Sequence, residues 1–359
     1  MKIILRHKPD GMALFIVMVS IFILAFLAGG LAYSMKVETK LAMNANDEND
    51  LEWVGRSGIE YARWVLGGQL KTPNEPYDSL NQKWAGGPGG TNDFLADASL
   101  TDVELGKGKF SVKIVDAERK FDINLALNNE ALLQQALILI GIDASDAPTI
   151  IASIQDWIDT DDNTHINGAE TEYYQGQNPP YEAKNGPIDD VSELLFIKGI
   201  TPEIYWGPNS TNHPSAVFQS KTPGQTGLLP VTSVASAGLV DIFTTVSSGR
   251  ININTASHTG LQLIPGVTDN IATEIIRLRS GPDGADGTED DTPFRNTGEL
   301  INAVPNRQLV QQMIPFCTVR STTFQVQVDA EIGQSKRTYY ALLVRNSPTD
   351  VQLLNMYWK

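Results

Sequence analysis

Residues 12–35 read MALFIVMVSIFILAFLAGGLAYSM, 24 positions without a charged side chain. At about 1.5 Å per helical residue this run is roughly 36 Å long, enough to cross a hydrocarbon core of about 30 Å. The leader ahead of it, MKIILRHKPDG, is net basic, with Lys2, Arg6 and Lys8 against Asp10. Positive charge stays on the cytoplasmic side, so the chain is expected to span a bilayer once with its bulk on the far side. Beyond the span, apolar residues continue at helical steps through Val37, Leu41, Ala45, Leu51, Val54, Gly58, Tyr61, Ala62 and Val65. The spacing predicts one helix from about Met12 to Leu66, ended by Gly67-Gly68, embedded in lipid first and laid on a folded domain afterwards.

After a Gly- and Pro-rich loop over residues 71–90, the period changes to two. Phe110, Val112 and Ile114 alternate with Ser111, Lys113 and Val115 behind the turn Gly106-Lys107-Gly108, and residues 121–124 are read as the start of another strand. Near the C-terminus Phe324, Val326 and Val328 alternate, Gly333 turns the chain, and Tyr339, Ala341 and Leu343 alternate back, followed by a closing strand over residues 351–357. Strands at both ends with helices between them predict an α+β fold. In it the N-terminal helix packs on a small antiparallel sheet interrupted by a large helical insertion. The boundaries read as a leader over 1–11, the membrane part over 12–35, helix and first strands over 36–124, the insertion over 125–315, and terminal strands over 316–359.

Three phrases recur in the insertion: Leu139-Ile140-Gly141-Ile142-Asp143, Phe196-Ile197-Lys198-Gly199-Ile200-Thr201 and Leu263-Ile264-Pro265-Gly266-Val267-Thr268. Each glycine is expected to take a positive φ between packed helices, giving a repeat of helix-turn-helix units. The third copy resembles the helix-hairpin-helix elements of DNA-binding proteins. Its hairpin offers Asp269 and no lysine, with Arg277 and Arg279 turns away, so a structural role is expected rather than a phosphate site.

The net charge is −15, and because the leader is +2, the remainder carries −17. Such a body repels nucleic acid and attracts divalent cations. Cys317 is the single cysteine, which excludes an intrachain disulfide and any cysteine-built metal cluster. The sequence contains no H-E-x-x-H, G-x-S-x-G, P-loop or dinucleotide signature, so a non-catalytic protein is expected.

Ten acidic residues and one lysine lie between Asp156 and Glu193. Asp159, Asp161, Asn163 and Glu170 stand at the first, third, fifth and twelfth places of an EF-hand-like loop, with Thr164 where the glycine belongs. Asp159, Asp161 and Glu170 are the expected calcium ligands, with Asp162 beside them. A second candidate is GPDGADGTEDDTPF, where Asp283, Asp286 and Asp290 sit in a glycine-rich turn. One or two structural calcium ions are expected, against a solvated acidic surface.

The leader ending in Gly11 before an uninterrupted apolar helix resembles the class III signal of type IV prepilins and pseudopilins. That resemblance implies cleavage between Gly11 and Met12 by a prepilin peptidase, and methylation. Cleavage as an ordinary secretory signal near residues 25–32 is the competing reading. The family's fifth mature residue is a glutamate, and here it is Ile16. A tip subunit has no amine ahead of it to neutralise, and the chain is similar to minor pseudopilin K of type II secretion in its leader, Ile16, the DWID segment, the NINTA phrase and the terminal strands. The resemblance extends to that family's calcium-binding stretch, covering Asp159, Asp161, Asp162, Glu170, Tyr173, Asn185 and Glu193. It implies two SAM-like helical units without a DNA role, partners among minor pseudopilins I, J and H, and an inner-membrane anchor. The body would lie in the periplasm of a Gram-negative bacterium, at the tip of a pseudopilus that helps export folded proteins. A minor type IV pilin and a membrane-anchored DNA receptor are the alternatives.

Overall fold

The computed structural model describes residues 10–90, 94–126, 129–207 and 237–359; the basic residues of the expected leader, Lys2, Arg6 and Lys8, lie outside the described residues. Helix α1 runs over Asp10–Gln69, 60 residues. It has one stretch long and apolar enough to cross a membrane. Phe15, Phe22, Phe26 and Leu31 there are exposed, whereas Leu51, Val54, Ile59, Ala62, Val65 and Leu66 further on are buried. One helix thus changes environment from an apolar surface that only lipid or a partner can cover to a core-facing stripe.

That stripe lies on a five-stranded antiparallel sheet: β1 (Val103–Leu105), β2 (Gly108–Asp116), β3 (Thr323–Ile332), β4 (Ser335–Ser347) and β5 (Asp350–Trp358), in spatial order β1-β2-β3-β4-β5. Period-two alternation turns Phe110, Val112, Ile114, Phe324, Val326, Val328, Tyr339, Ala341 and Leu343 toward the helix, where they are buried with it. Close approach fixes two helical glycines. A Cβ on Gly55 would lie 2.3 Å from the Tyr339 ring, and one on Gly58 would lie 2.4 Å from Val328 Cγ1.

Gly67-Gly68 does not end the helix, which continues to Gln69. Both glycines serve contact instead: a Cβ on Gly67 would stand 2.5 Å from the Pro348 carbonyl, and one on Gly68 2.9 Å from Leu95. The following loop is also more than a connection, since Trp84 is fully buried in the sheet core, edge-on to Phe324.

Between β2 and β3 the chain builds a second, separate core around Leu133, Leu137, Ile154, Trp157, Ile264 and Ile275. The longer helices of this insertion are α2 (Glu130–Leu139), α3 (Ala147–Ile158), α4 (Asp269–Arg279) and α5 (Arg307–Met313). The three hairpin glycines take the expected positive φ, 86° at Gly141, 86° at Gly199 and 83° at Gly266. Phe121–Asp122 is a strand, but it pairs in parallel with Phe243–Thr244, and Phe121 and Ile123 pack in the insertion core. The segment read as belonging to the terminal sheet therefore belongs to the insertion, because two alternating apolar residues do not specify which of two cores receives them.

The two cores meet at a buried polar hub. Arg345, on β4, ion-pairs with Asp78; their side chains are 1% and 0% exposed. The guanidinium also donates to the Ser321 carbonyl (2.8 Å) and to the Leu66 carbonyl at the end of α1 (3.3 Å), and it stacks over Phe324. Removing one partner of such a pair strands the other charge without water. Arg345→Met is therefore expected to lower the free energy of unfolding by about 3–5 kcal/mol, read by urea denaturation, with Asp78→Asn in the same chain restoring part of the loss.

Candidate metal centre

Helix α3 is apolar on the face it buries, and Asp156 sits in its last turn at 0% exposure. Asp156 Oδ1 accepts from the His165 backbone N–H at 3.0 Å and touches His165 Nδ1. Oδ2 is buried with no hydrogen-bond partner. The chain can pass over it only at a glycine, since a Cβ on Gly168 would lie 2.0 Å from that oxygen.

Asp159 ends α3, its N–H closing the last turn on Gln155. Two residues on, Asp161 accepts the Asn163 N–H at 2.8 Å in an Asx turn that curls the loop inward. The loop returns at Glu170, which is 3% exposed although both carboxylate oxygens lack a hydrogen-bond partner. Ligand atoms of Asp159, Asp161 and Glu170 lie within 4.8 Å of one another, as do those of Asp156, Asp159 and His165.

The electrostatics follow from this crowding. Burial, then Asp156, Asp159, Asp162 and Asp161, push the Glu170 carboxyl up to about 7. Burial with Asp161 and Asp156 raises Asp159 as well. Asp156 hydrogen bonds to His165 and raises its imidazole above the ordinary value. Buried acceptors without donors are what a hard cation satisfies, and carboxylate oxygens on alternate residues match calcium.

Asp162 stands one layer out, where its Oδ1 accepts from Thr171 Oγ1 and Asn185 Nδ2, each at 3.2 Å. Asn185 adopts φ 47° and leaves its own Oδ1 buried and unpartnered. Tyr173 packs edge-on to Tyr174 beneath Lys198, whose Nζ donates to the Gly168 carbonyl at 2.8 Å. Glu193 lies elsewhere, closing a capping box and gripping Lys184. Sequence reasoning passed over Asp156 as a ligand. The signal was present, a carboxylate inside the apolar run IIASIQDWI that a helix must bury.

The second acidic turn is arranged differently. Asp286 binds Arg279 through both oxygens, at 3.0 and 2.6 Å, and Arg279 is itself buried and donates to the Ile253 carbonyl. Asp283 accepts the Ala285 N–H, and Asp290 accepts the Asp283 N–H and the Thr288 hydroxyl. Among the described residues, the groups of three metal-ligating side chains are those between Asp156 and Glu170. The expected set Asp283, Asp286 and Asp290 is not brought together, because a guanidinium and backbone amides already supply the compensating charge. The third hairpin likewise lacks free basic groups: Arg277 is paired with Glu274 and Arg279 with Asp286.

At the other end of the molecule Ile16 is 60% exposed on α1, within the stretch free of charge.

A family model described as "Type II secretion system (T2SS), protein K" matches residues 113–206, from β2 through the acidic loop to the second hairpin. Over that stretch the chain is similar to the type II secretion system protein K family. Similar proteins include type II secretion system protein K of Klebsiella pneumoniae, 27% identical over 205 residues covering 56% of this chain and 61% of that protein. A putative type II secretion system protein K of Escherichia coli K12 is 28% identical over 214 residues, again 56% and 61%. The alignments thus span about three fifths of these relatives' length. The likeness of fold extends further than the likeness of sequence. In the crystal structure of the GspK–GspI–GspJ complex from enterotoxigenic E. coli, one chain matches 89% of this chain and 99% of its own length, with a TM-score of 0.60 at 20% identity.

A raised carboxyl is stabilising when protonated, so its contribution is present below the ordinary glutamate range and lost as pH rises through the folded value. With divalent cations chelated, the thermal midpoint should fall by a few degrees as pH rises through about 7. Glu170→Gln should flatten that part of the profile.

Proposed function

We propose that this chain is a non-catalytic minor pseudopilin at the tip of the type II secretion pseudopilus, where it initiates assembly and helps export folded proteins across the outer membrane. The observation that carries the reading is the join of an uncharged membrane-length helix to a pilin-like sheet interrupted by a large insertion. Such a bulky insertion suits the end of a narrow filament, where no further layer must stack on it. Ile16 fits the same place, because a carboxylate buried among apolar helices needs a partner charge and a tip subunit has no amine ahead of it.

On this reading the leader is removed between Gly11 and Met12 by a prepilin peptidase, with methylation. The chain is anchored once in the inner membrane of a Gram-negative bacterium with its body in the periplasm. Its partners are minor pseudopilins I and J, with H nearby. The likeness to a protein solved together with GspI and GspJ supports that choice. The three hairpins are SAM-like, helix-hairpin-helix units used for packing, in keeping with the ion pairs that occupy Arg277 and Arg279.

Calcium is proposed as a structural ion held by Asp159, Asp161 and Glu170 with Asp156. A second ion at Asp283, Asp286 and Asp290 has no comparable support. A ligand that binds only the folded state raises stability by RT ln(1 + [L]/Kd). Calcium should raise the thermal midpoint of the detergent-solubilised chain by several degrees over chelator, and Asp161→Ala with Glu170→Ala should abolish the rise. An equal rise in the double variant would remove the site. Loss of the rise together with retained co-purification of I and J would separate the ion from assembly.

A further inference from the structure

Where the insertion leaves β2 and returns to β3, three carboxylates are buried together: Asp78, Asp116 and Glu118, exposed 0%, 2% and 1%. Among the described residues, the charged side chains hydrogen-bonded within this cluster are those three and Arg345. Asp78 comes from the loop after α1, Asp116 from the end of β2, Glu118 from the turn following it, and Arg345 from β4. The insertion contributes Asn252 and Thr255, and the return segment Ser321 and Thr322, all neutral.

One guanidinium balances one carboxylate. If all three acids were ionised, the hub would hold two uncompensated charges away from water, a condition that buried groups relieve by retaining protons. Ser321 ties two of the acids directly, its N–H donating to Asp78 Oδ2 (2.8 Å) and its hydroxyl to Asp116 Oδ2 (2.7 Å). Asp78 Oδ1 is buried without a partner.

The geometry also provides for a proton on Asp116. Thr255 Oγ1 lies 2.6 Å from Asp116 Oδ2 and 3.5 Å from the Asn252 carbonyl. With Asp116 ionised, the threonine hydroxyl donates to it. With Asp116 protonated, the carboxyl donates to Thr255 Oγ1 and the hydroxyl turns to the Asn252 carbonyl, so no heavy atom has to move. Glu118 is held separately by the Thr322 N–H (2.9 Å) and hydroxyl (2.6 Å).

We infer that the junction between sheet and insertion is a proton-holding switch, closed when Asp116 is protonated against Thr255 and loosened when that proton leaves. Burial, against the opposing hydroxyl hydrogen bonds, pushes the Asp116 carboxyl up to about 6, and burial raises Glu118 as well. The direction follows: stability at the hub is greatest at acid pH and declines as pH rises through about 6.

The test uses the full chain in detergent with saturating calcium, so that the acidic loop does not contribute. Amide exchange at Ser321 and Thr255, corrected for intrinsic rates, should speed up as pH rises from about 5 to 7.5. Infrared spectra with isotope-labelled aspartate should show a protonated carboxylic acid lost over the same range, and Asp116→Asn should abolish both changes. If Asp116→Asn does not fold, Thr255→Val removes a donor to the ionised form and should shift the infrared titration to higher pH. An aspartate ionised throughout this range, or a pH-dependent exchange unchanged by both substitutions, would overturn the inference.

Discussion

The buried pair of Arg345 and Asp78 anchors the junction at which the sheet and the insertion meet. Asp116 and Phe324 are register partners on adjacent strands, so the whole insertion departs and returns across a single rung of the sheet. Closing a long loop costs entropy that grows only slowly with its length, and a well-formed base can therefore carry a domain. Here the base is polar. The guanidinium reaches the end of α1, the loop beyond it and the return segment, while Asn252 bridges Asp78 and Asp116 from the insertion side. Each part has its own apolar core, and the hub lies where the two parts meet.

The same problem, negative charge in a confined space, is answered in three ways in this molecule. At the hub a guanidinium neutralises one acid and a retained proton is proposed for another. In the turn after α4, Arg279 supplies a fixed cation, and the loop winds around it. Between Asp156 and Glu170 the side chains provide no cation within the cluster apart from the partly exposed His165, and several buried carboxylate oxygens stay without donors. That contrast separates an acidic loop whose charge is met by its own guanidinium and amides from one for which a bound ion is proposed, even though each holds five acidic residues.

Much of this was legible from pattern alone. Periods of 3.6 and 2.0 located α1, β2, β3, β4 and β5, because each element has one face that must be buried. The positive φ at Gly141, Gly199 and Gly266 followed from the position of glycine between apolar stretches. Contacts between distant segments were not legible. Gly67 and Gly68 look like a helix stop, yet they allow Pro348 and Leu95 to approach. In the NINTA phrase Asn252, Asn254 and Thr255 are buried staples to Asp116 and to the Phe294 backbone, which local pattern does not announce. Asp156 was one acid among ten until the fold showed it to be the most deeply buried of the converging acids. Asp286 was one ligand candidate among several until Arg279 was seen to reach it.

The most direct test of the tip assignment is the position of the chain on assembled pseudopili. Sheared filaments, formed with the major pseudopilin and the minor subunits, would be labelled with gold through an epitope in an exposed loop of the insertion. Label confined to one end of each filament is the expected result. Label spaced along the shaft would mean that the insertion can be accommodated in every layer, and would contradict the assignment of this chain to the tip.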